Sequence, residues 1–428
     1  MKRFITEKLI DWKNSKDRKP LILKGARQVG KTYILKDFGE TNYENVAYFN
    51  FDHDGGLAEL FLNTKDPKRI IEQLSLANGK KINPGSTLII FDEIQECPNA
   101  LNSLKYFCEE ANEYHVACAG SLLGIRLSKT SFPVGKVDFL NLYPMTFSEF
   151  LIADGSENLV EVMRKTKEIK EIPKIFDDML IEKLKTYYII GGMPEAVYSW
   201  INDKDIEKIN KIQKNILDSY ESDFAKHTDA NDANKISLIW NGIPSQLAKE
   251  NKKFQYSTVE KGTSARKFGN SIEWLRNAGL IHLCTNVSTP TFPLAAYDNS
   301  DYFKAYMSDT GLLTALYGFD LKKSIITNTL TGPMKGGLYE NFVALQLMSK
   351  DSHLHYYKAQ KGDVEIEFLI EREGKVIPVE VKAGNSSSKS LNIVMKREDI
   401  PFGYKLISGN TGSTEKKISL PLYMSMFL

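Results

Sequence analysis

Residues 21–37 read LILKGARQVGKTYILKD, and within them Gly25-Ala26-Arg27-Gln28-Val29-Gly30-Lys31-Thr32 fits G-x-x-x-x-G-K-[ST]. Leu21-Ile22-Leu23 reads as a buried strand entering a loop, and Tyr33-Ile34-Leu35-Lys36 carries on from Lys31-Thr32 as a helix. Strand, loop and helix in this order build a cradle for phosphate. Backbone N–H groups and the positive end of the helix converge on phosphate oxygens, and glycines let the chain pass that close. Lys31 is expected to reach the β- and γ-phosphates of ATP, and the Thr32 hydroxyl to ligate magnesium. Residues 25–33, from Gly25 to Tyr33, are the expected nucleotide-binding set.

The next decisive stretch is Leu88-Ile89-Ile90-Phe91, which ends in Asp92-Glu93. A buried strand that delivers two carboxylates to its tip suits the far side of such a cradle, because ligands of open α/β sheets sit at the carboxyl ends of strands. Asp92 is expected to hold magnesium, and Glu93 to act as general base on the attacking water. A further strand, His115–Ala119, ends in Gly120-Ser121, where Ser121 reads either as a γ-phosphate sensor or as a helix-capping serine. Thr146 and Glu149 have capping-box spacing and read as structural. Strands alternating with helices through this half predict a parallel sheet covered on both faces.

The 428 residues are 42% hydrophobic and 26% charged, with a net charge of +2, which describes a globular chain too balanced for its overall charge to argue for nucleic acid. No apolar run approaches the roughly 18 residues a bilayer span needs. The start, MKRFITEKLIDWKNSKDRK, lacks the apolar core of a signal peptide, so a cytoplasmic location with no membrane partner is expected. Cys97, Cys108, Cys118 and Cys284 have no zinc or C-x-x-C spacing and read as reduced thiols.

From about Glu157 to Tyr220 the pattern is helical and is broken at Gly191-Gly192. Helices over 236–248 and 265–278, followed by a strand pair, have the order of a winged helix. Between Lys249 and Arg276, seven bases (Lys249, Lys252, Lys253, Lys261, Arg266, Lys267, Arg276) face three acids (Glu250, Glu260, Glu273), a pattern for DNA contact or for a solvated face. Near the end, an amphipathic helix carries Glu340, and Asp363–Ile370 and Val376–Lys382 read as a hairpin turning at 372–375. That turn sets Glu367 opposite Glu380, with Lys382 on the same face as Glu380.

Taken together, GARQVGKT, LIIFDEIQ, AGSLLG, LYPMTFSEF, IGGMPEAV at 190–197 and YMSDTGLL at 306–313 resemble one family, the AAA-type ATP-binding proteins of bacteria and archaea with an uncharacterised, nuclease-like C-terminal domain. The resemblance implies an α/β fold. A three-layer parallel P-loop sheet (1–155) would precede a helical lid or connector (156–225), a winged-helix-like region (226–325) and an α/β nuclease-like domain (326–428). Many such proteins place an arginine from one subunit in the next, which implies a homo-oligomer, although no arginine here is identifiable as that finger. Family members often carry Gly-Arg where this chain has Gly135-Lys136, and Arg126 has no motif behind it. The helix acid, strand acid and E-x-K arrangement resembles the PD-(D/E)XK endonuclease core. That implies Glu340 supporting a metal, Glu367 and Glu380 ligating it, and Lys382 steadying the attacking hydroxide. Asp363 or Glu365, on the face of Glu367, are alternative ligands. The implied activity is magnesium-dependent ATP hydrolysis coupled to a domain that binds or cleaves nucleic acid. The competing reading is a slow nucleotide-loaded switch that binds a protein or DNA without cleavage.

Overall fold

The computed structural model describes residues 1–52, 55–121, 133–166, 171–260, 265–350, 352–360, 362–384 and 387–428. The chain divides into two units, one of residues 1–143 with 277–279, the other of residues 144–276 with 280–428. Among the described residues no helix is long and apolar enough to cross a membrane.

In the first unit β1 (Leu21–Lys24), β2 (Asn45–Asn50), β3 (Thr87–Asp92), β4 (His115–Ala119) and β5 (Asp138–Asn141) form one parallel sheet ordered β2-β3-β4-β1-β5. All residues of the inner strands β3 and β4 are buried, so their sequences read as unbroken apolar runs, whereas edge strand β2 alternates. Phe91 of β3 meets Phe49, Phe51, Phe61 and Phe107, mostly edge to face, at the centre of the core. Local chemistry sets the helix ends. Asp66 accepts a hydrogen bond from the Lys68 N–H at the start of the helix Pro67–Asn78, and Gly79 closes it at φ 66°.

The second unit begins with helices and ends in an eight-stranded mixed sheet. The capping box of Thr146 and Glu149 opens the helix Phe147–Ala153. The motif glycines around 191 meet the motif aspartate at 309. Asp309 is fully buried, accepts from the Gly192 N–H at 2.6 Å and caps the helix Thr310–Tyr317 through the Leu312 N–H at 2.9 Å. At Gly191, φ is 74°, and a side chain there would strike the Asp309 carboxylate. Both stretches are thus explained by packing.

The strands β6 (Ile281–Val287), β7 (Asp298–Met307), β8 (Leu354–Lys358), β9 (Glu365–Arg372), β10 (Lys375–Val381), β11 (Gly403–Ile407), β12 (Gly412–Ser413) and β13 (Lys417–Pro421) lie in the order β12-β13-β11-β10-β9-β8-β6-β7. The expected wing, β6 with β7, is therefore the far edge of this C-terminal sheet, because β6 pairs in parallel with β8. The β9–β10 hairpin is tighter than its sequence suggests. Arg372 pairs with Lys375 across a two-residue turn, Glu373-Gly374, with φ 51° and 72°. The register is the expected one as far as Phe368 opposite Val379, the pair next to Glu367 and Glu380.

Candidate nucleotide site

The site grows from the carboxyl end of the parallel sheet. After β1, Gly25 takes φ 154° with its Cα against the Leu142 carbonyl, where a side chain would clash. Gln28 and Gly30 then adopt left-handed backbone, and the helix Lys31–Asn42 starts at once. The Lys31 ammonium is 7% exposed and donates to the carbonyls of Gly25 (2.9 Å) and Ala26 (2.7 Å). Burial pulls it down to about 8, against the attraction of Glu93 and Asp92 and with some help from Arg27. Tyr33, two residues on, is exposed.

Opposite the loop, the Thr32 hydroxyl donates to Oδ2 of Asp92 at 2.8 Å, so the two expected magnesium ligands are already neighbours. Oδ1 of Asp92 accepts from the Glu93 N–H at 3.1 Å. Glu93 itself sits at φ 49°, with its carboxylate held by the Gln95 side-chain amide and by the Ser121 hydroxyl at 3.2 Å. Ser121 thus faces the expected general base. The cluster of hydroxyl and carboxylate oxygens suits a hard cation.

Two residues, Tyr48 and Arg3, carried no motif, and Gln95 closes LIIFDEIQ without an expected role. Tyr48 donates its hydroxyl to Oδ2 of Asp92 at 2.8 Å; burial and that hydrogen bond push its phenol up to about 12, keeping it a donor. Gln95 follows Glu93 by two positions. Arg3 holds the loop from behind, donating to the carbonyls of Val29 (3.2 Å) and Tyr143 (2.6 Å). A signal for the first was available, since the parallel register sets polar Asn50 beside Asp92 and Tyr48 shares its face. Lys136 pairs with Glu109 at 2.9 Å on the surface. Arg126 lies outside the described residues.

The C-terminal acids also come together, but with lysines between them. Glu340 meets Lys252 at 2.9 Å, Lys304 at 3.5 Å and the Tyr306 hydroxyl at 3.2 Å. Glu365 is held between Lys304 and Lys358, each at 2.8 Å; burial opposes ionisation, but the two ammonium groups draw it down to about 2. Glu367 accepts from the Val381 N–H at 3.1 Å and lies 3.8 Å from Lys382. Burial, and then the charge of Glu340, push Glu367 up to about 7. Glu380 is fully buried; neither oxygen accepts a hydrogen bond, and Lys382 stands 3.2 Å away as an ion pair. Asp363 is exposed. Among the described residues, no three carboxylate, imidazole or thiol side chains are spaced to hold a metal ion.

Three of the seven bases in the basic segment are paired with carboxylates. Lys252 is spent on Glu340, Lys267 pairs with Glu260 at 2.7 Å and Arg276 with Glu273 at 2.5 Å. Lys249 bonds Thr258, and Lys253 lies over the ring of Tyr302. Lys261 lies outside the described residues.

Residues 17–151 match the AAA domain family, over the stretch that carries the parallel sheet and the phosphate-loop motif. Residues 181–323 and 335–423 match two families described only as domains of unknown function, DUF8612 and DUF4143. No curated protein matches the chain. Among solved structures, a Walker-type ATPase of Pyrococcus abyssi is 14% identical, covering 73% of this chain and 94% of its own, with TM-score 0.46. The Aeropyrum pernix ORC1 protein, solved in complex with DNA, is 12% identical over 76% and 92% at TM-score 0.27. Thermotoga maritima RuvB is 13% identical over 67% and 89% at TM-score 0.25. Likeness at these scores carries no functional argument.

Proposed function

We propose that the first unit hydrolyses ATP with magnesium, with residues 25–33 holding the triphosphate and Thr32 and Asp92 holding the cation. The observation that carries this reading is the 2.8 Å approach of Thr32 to Asp92 across the mouth of the loop, beside a buried lysine. Magnesium held there by Thr32 and Asp92 would supply charge neutralisation and orientation. The chain's own residues do the rest. Lys31 exchanges its two carbonyl partners for phosphate oxygens, and Glu93, aimed by Gln95 and Ser121, takes a proton from water. Phosphate release measured on the full chain tests this. Lys31→Ala should abolish release through lost binding, and Glu93→Gln should lower it by about 10²-fold or more with binding retained. Release unaffected by either substitution would overturn the assignment.

For the second unit we propose nucleic acid as partner, met at Glu367, Glu380 and Lys382. The fully buried carboxylate of Glu380, whose ion-pair partner is the Lys382 ammonium at 3.2 Å, favours this, since burying a charge with so few partners is costly. For Glu367 and Glu380 to hold one divalent cation, the Lys382 ammonium that now lies against both must turn aside. Glu340 and Glu365, saturated by lysines and Tyr306, do not fit a second. Incubating plasmid and single-stranded DNA with the full chain and manganese tests the cleavage reading. Cutting that is lost in Glu380→Gln supports it. Intact DNA at every dose, with binding retained, leaves the nucleotide-loaded switch as the better account.

A further inference from the structure

We propose that Tyr48 is a positioning residue that holds the Asp92 carboxylate in the orientation magnesium requires. The inference rests on the reading of Asp92 as a magnesium ligand and adds to it a residue to which neither motif nor family match assigns a role.

Tyr48 lies on β2, beside the strand that carries Asp92. The register pairs Tyr48 with Ile90 and Asn50 with Asp92, so the phenol must reach forward along the sheet by two residues to touch the carboxylate. It is held in that reach from two sides. The Asn50 amide donates to the phenol oxygen at 3.4 Å, and the Lys36 ammonium stands 3.5 Å over the ring centroid. Lys36 belongs to the helix Lys31–Asn42 that follows the phosphate loop. The phenol therefore ties together the edge strand, the loop helix and the acidic tip of β3.

The reason for a second donor on Asp92 lies in what Thr32 must do. Both Thr32 and Tyr48 donate to the same oxygen, Oδ2, each at 2.8 Å. When the Thr32 oxygen turns a lone pair to a cation it keeps its proton, but the direction of that proton is then set by the metal, so Thr32 alone no longer decides where Oδ2 points. The Glu93 N–H still holds Oδ1, but one donor on one oxygen leaves the carboxylate free to swing about its last torsion. Tyr48 supplies the second point. An ionised carboxylate oxygen accepts more than one bond, so Oδ2 can keep the phenol and still face a metal. Asp92 is 4% exposed, so water is poorly placed to take over this task. Partners of this kind, which touch a metal ligand rather than the metal, commonly change metal affinity by about 10–100-fold when removed.

The test uses the full chain with bound ADP and follows free Mn2+ by electron paramagnetic resonance. Tyr48→Phe keeps the ring and its contact with Lys36 and removes only the hydroxyl. It should weaken Mn2+ binding by roughly tenfold, while ADP affinity in EDTA stays at the wild-type value. In turnover, the magnesium concentration for half-maximal rate should rise, and the rate at saturating magnesium should recover. Unchanged Mn2+ affinity, or an equal loss of ADP affinity in EDTA, would overturn the proposal. Asp92→Asn separates this outcome from failure of the underlying reading. If Asp92→Asn leaves Mn2+ binding intact, the ligand assignment falls. If it weakens binding while Tyr48→Phe does not, only the role of Tyr48 falls. Should Tyr48→Phe melt well below wild type, Asn50→Ala frees the phenol without removing it, and a several-fold loss of Mn2+ affinity is expected in the same measurement.

Discussion

Lys31 combines burial with charge, and this gives the site a proton signature. Its ordinary value is 10.5, and burial brings it to about 8 in the folded chain, so between these values the free protein carries the amine partly neutral. Phosphates favour the charged form. ATP binding at pH near 8.5 should therefore take up a fraction of a proton, which calorimetry in buffers of different ionisation heat reads directly. The same shift fixes the sign for stability. The unfolded chain binds more protons in that window, so the cost of burying Lys31 is present in full below pH 8 and fades as the pH rises towards 10.5. The motif residues were legible in the sequence because a backbone that wraps a phosphate tolerates few residue types at fixed spacing. Tyr48 and Arg3 were not, since each meets its partner only through strand register or a chain reversal, and Gln95, two residues after Glu93, has no pattern around it that sets its amide towards that carboxylate.

At the scale of elements, the inner strands announced themselves. Burial on both faces forces the continuous apolar runs of β3 and β4, and Phe91→Ala should cost about 3–5 kcal/mol in chemical denaturation because four other rings close on it. The β9–β10 register was also legible, because a short polar turn between two alternating runs leaves few pairings. What stayed hidden was which sheet β6 and β7 would join. Helices followed by a strand pair look alike whether the pair stands alone or adds to a distant sheet, and the pairing of β6 with β8 brings together residues far apart in sequence. The meeting of Asp309 with Gly192 is a similar long-range event. Asp309→Ala should cost about 1–3 kcal/mol, since it strips a partner from two buried N–H groups, and a lowered denaturation midpoint with unchanged slope would register it.

Across the whole molecule, charge counted along the chain says less than charge paired in space. Seven bases between Lys249 and Arg276 suggested either DNA contact or a solvated face, and folding commits Lys252, Lys267 and Arg276 of them to carboxylates. In the C-terminal sheet, Glu340, Glu365, Glu367 and Glu380 are matched by Lys252, Lys304, Lys358 and Lys382, so that cluster is balanced before any ligand arrives. Lys304→Met should accordingly destabilise the second unit by about 3–5 kcal/mol, because it leaves Glu340 and Glu365 buried with fewer counter-charges; a loss near zero would mean those acids neutralise instead. The first unit rests on a different kind of claim, that backbone amides, Lys31, Thr32 and Asp92 converge on a triphosphate. Calorimetric titration of the full chain with ATP and magnesium tests it most directly. Saturable binding of one nucleotide per chain, lost in Lys31→Ala, is the predicted result; no heat in the native chain, or the same heat in both, would contradict it.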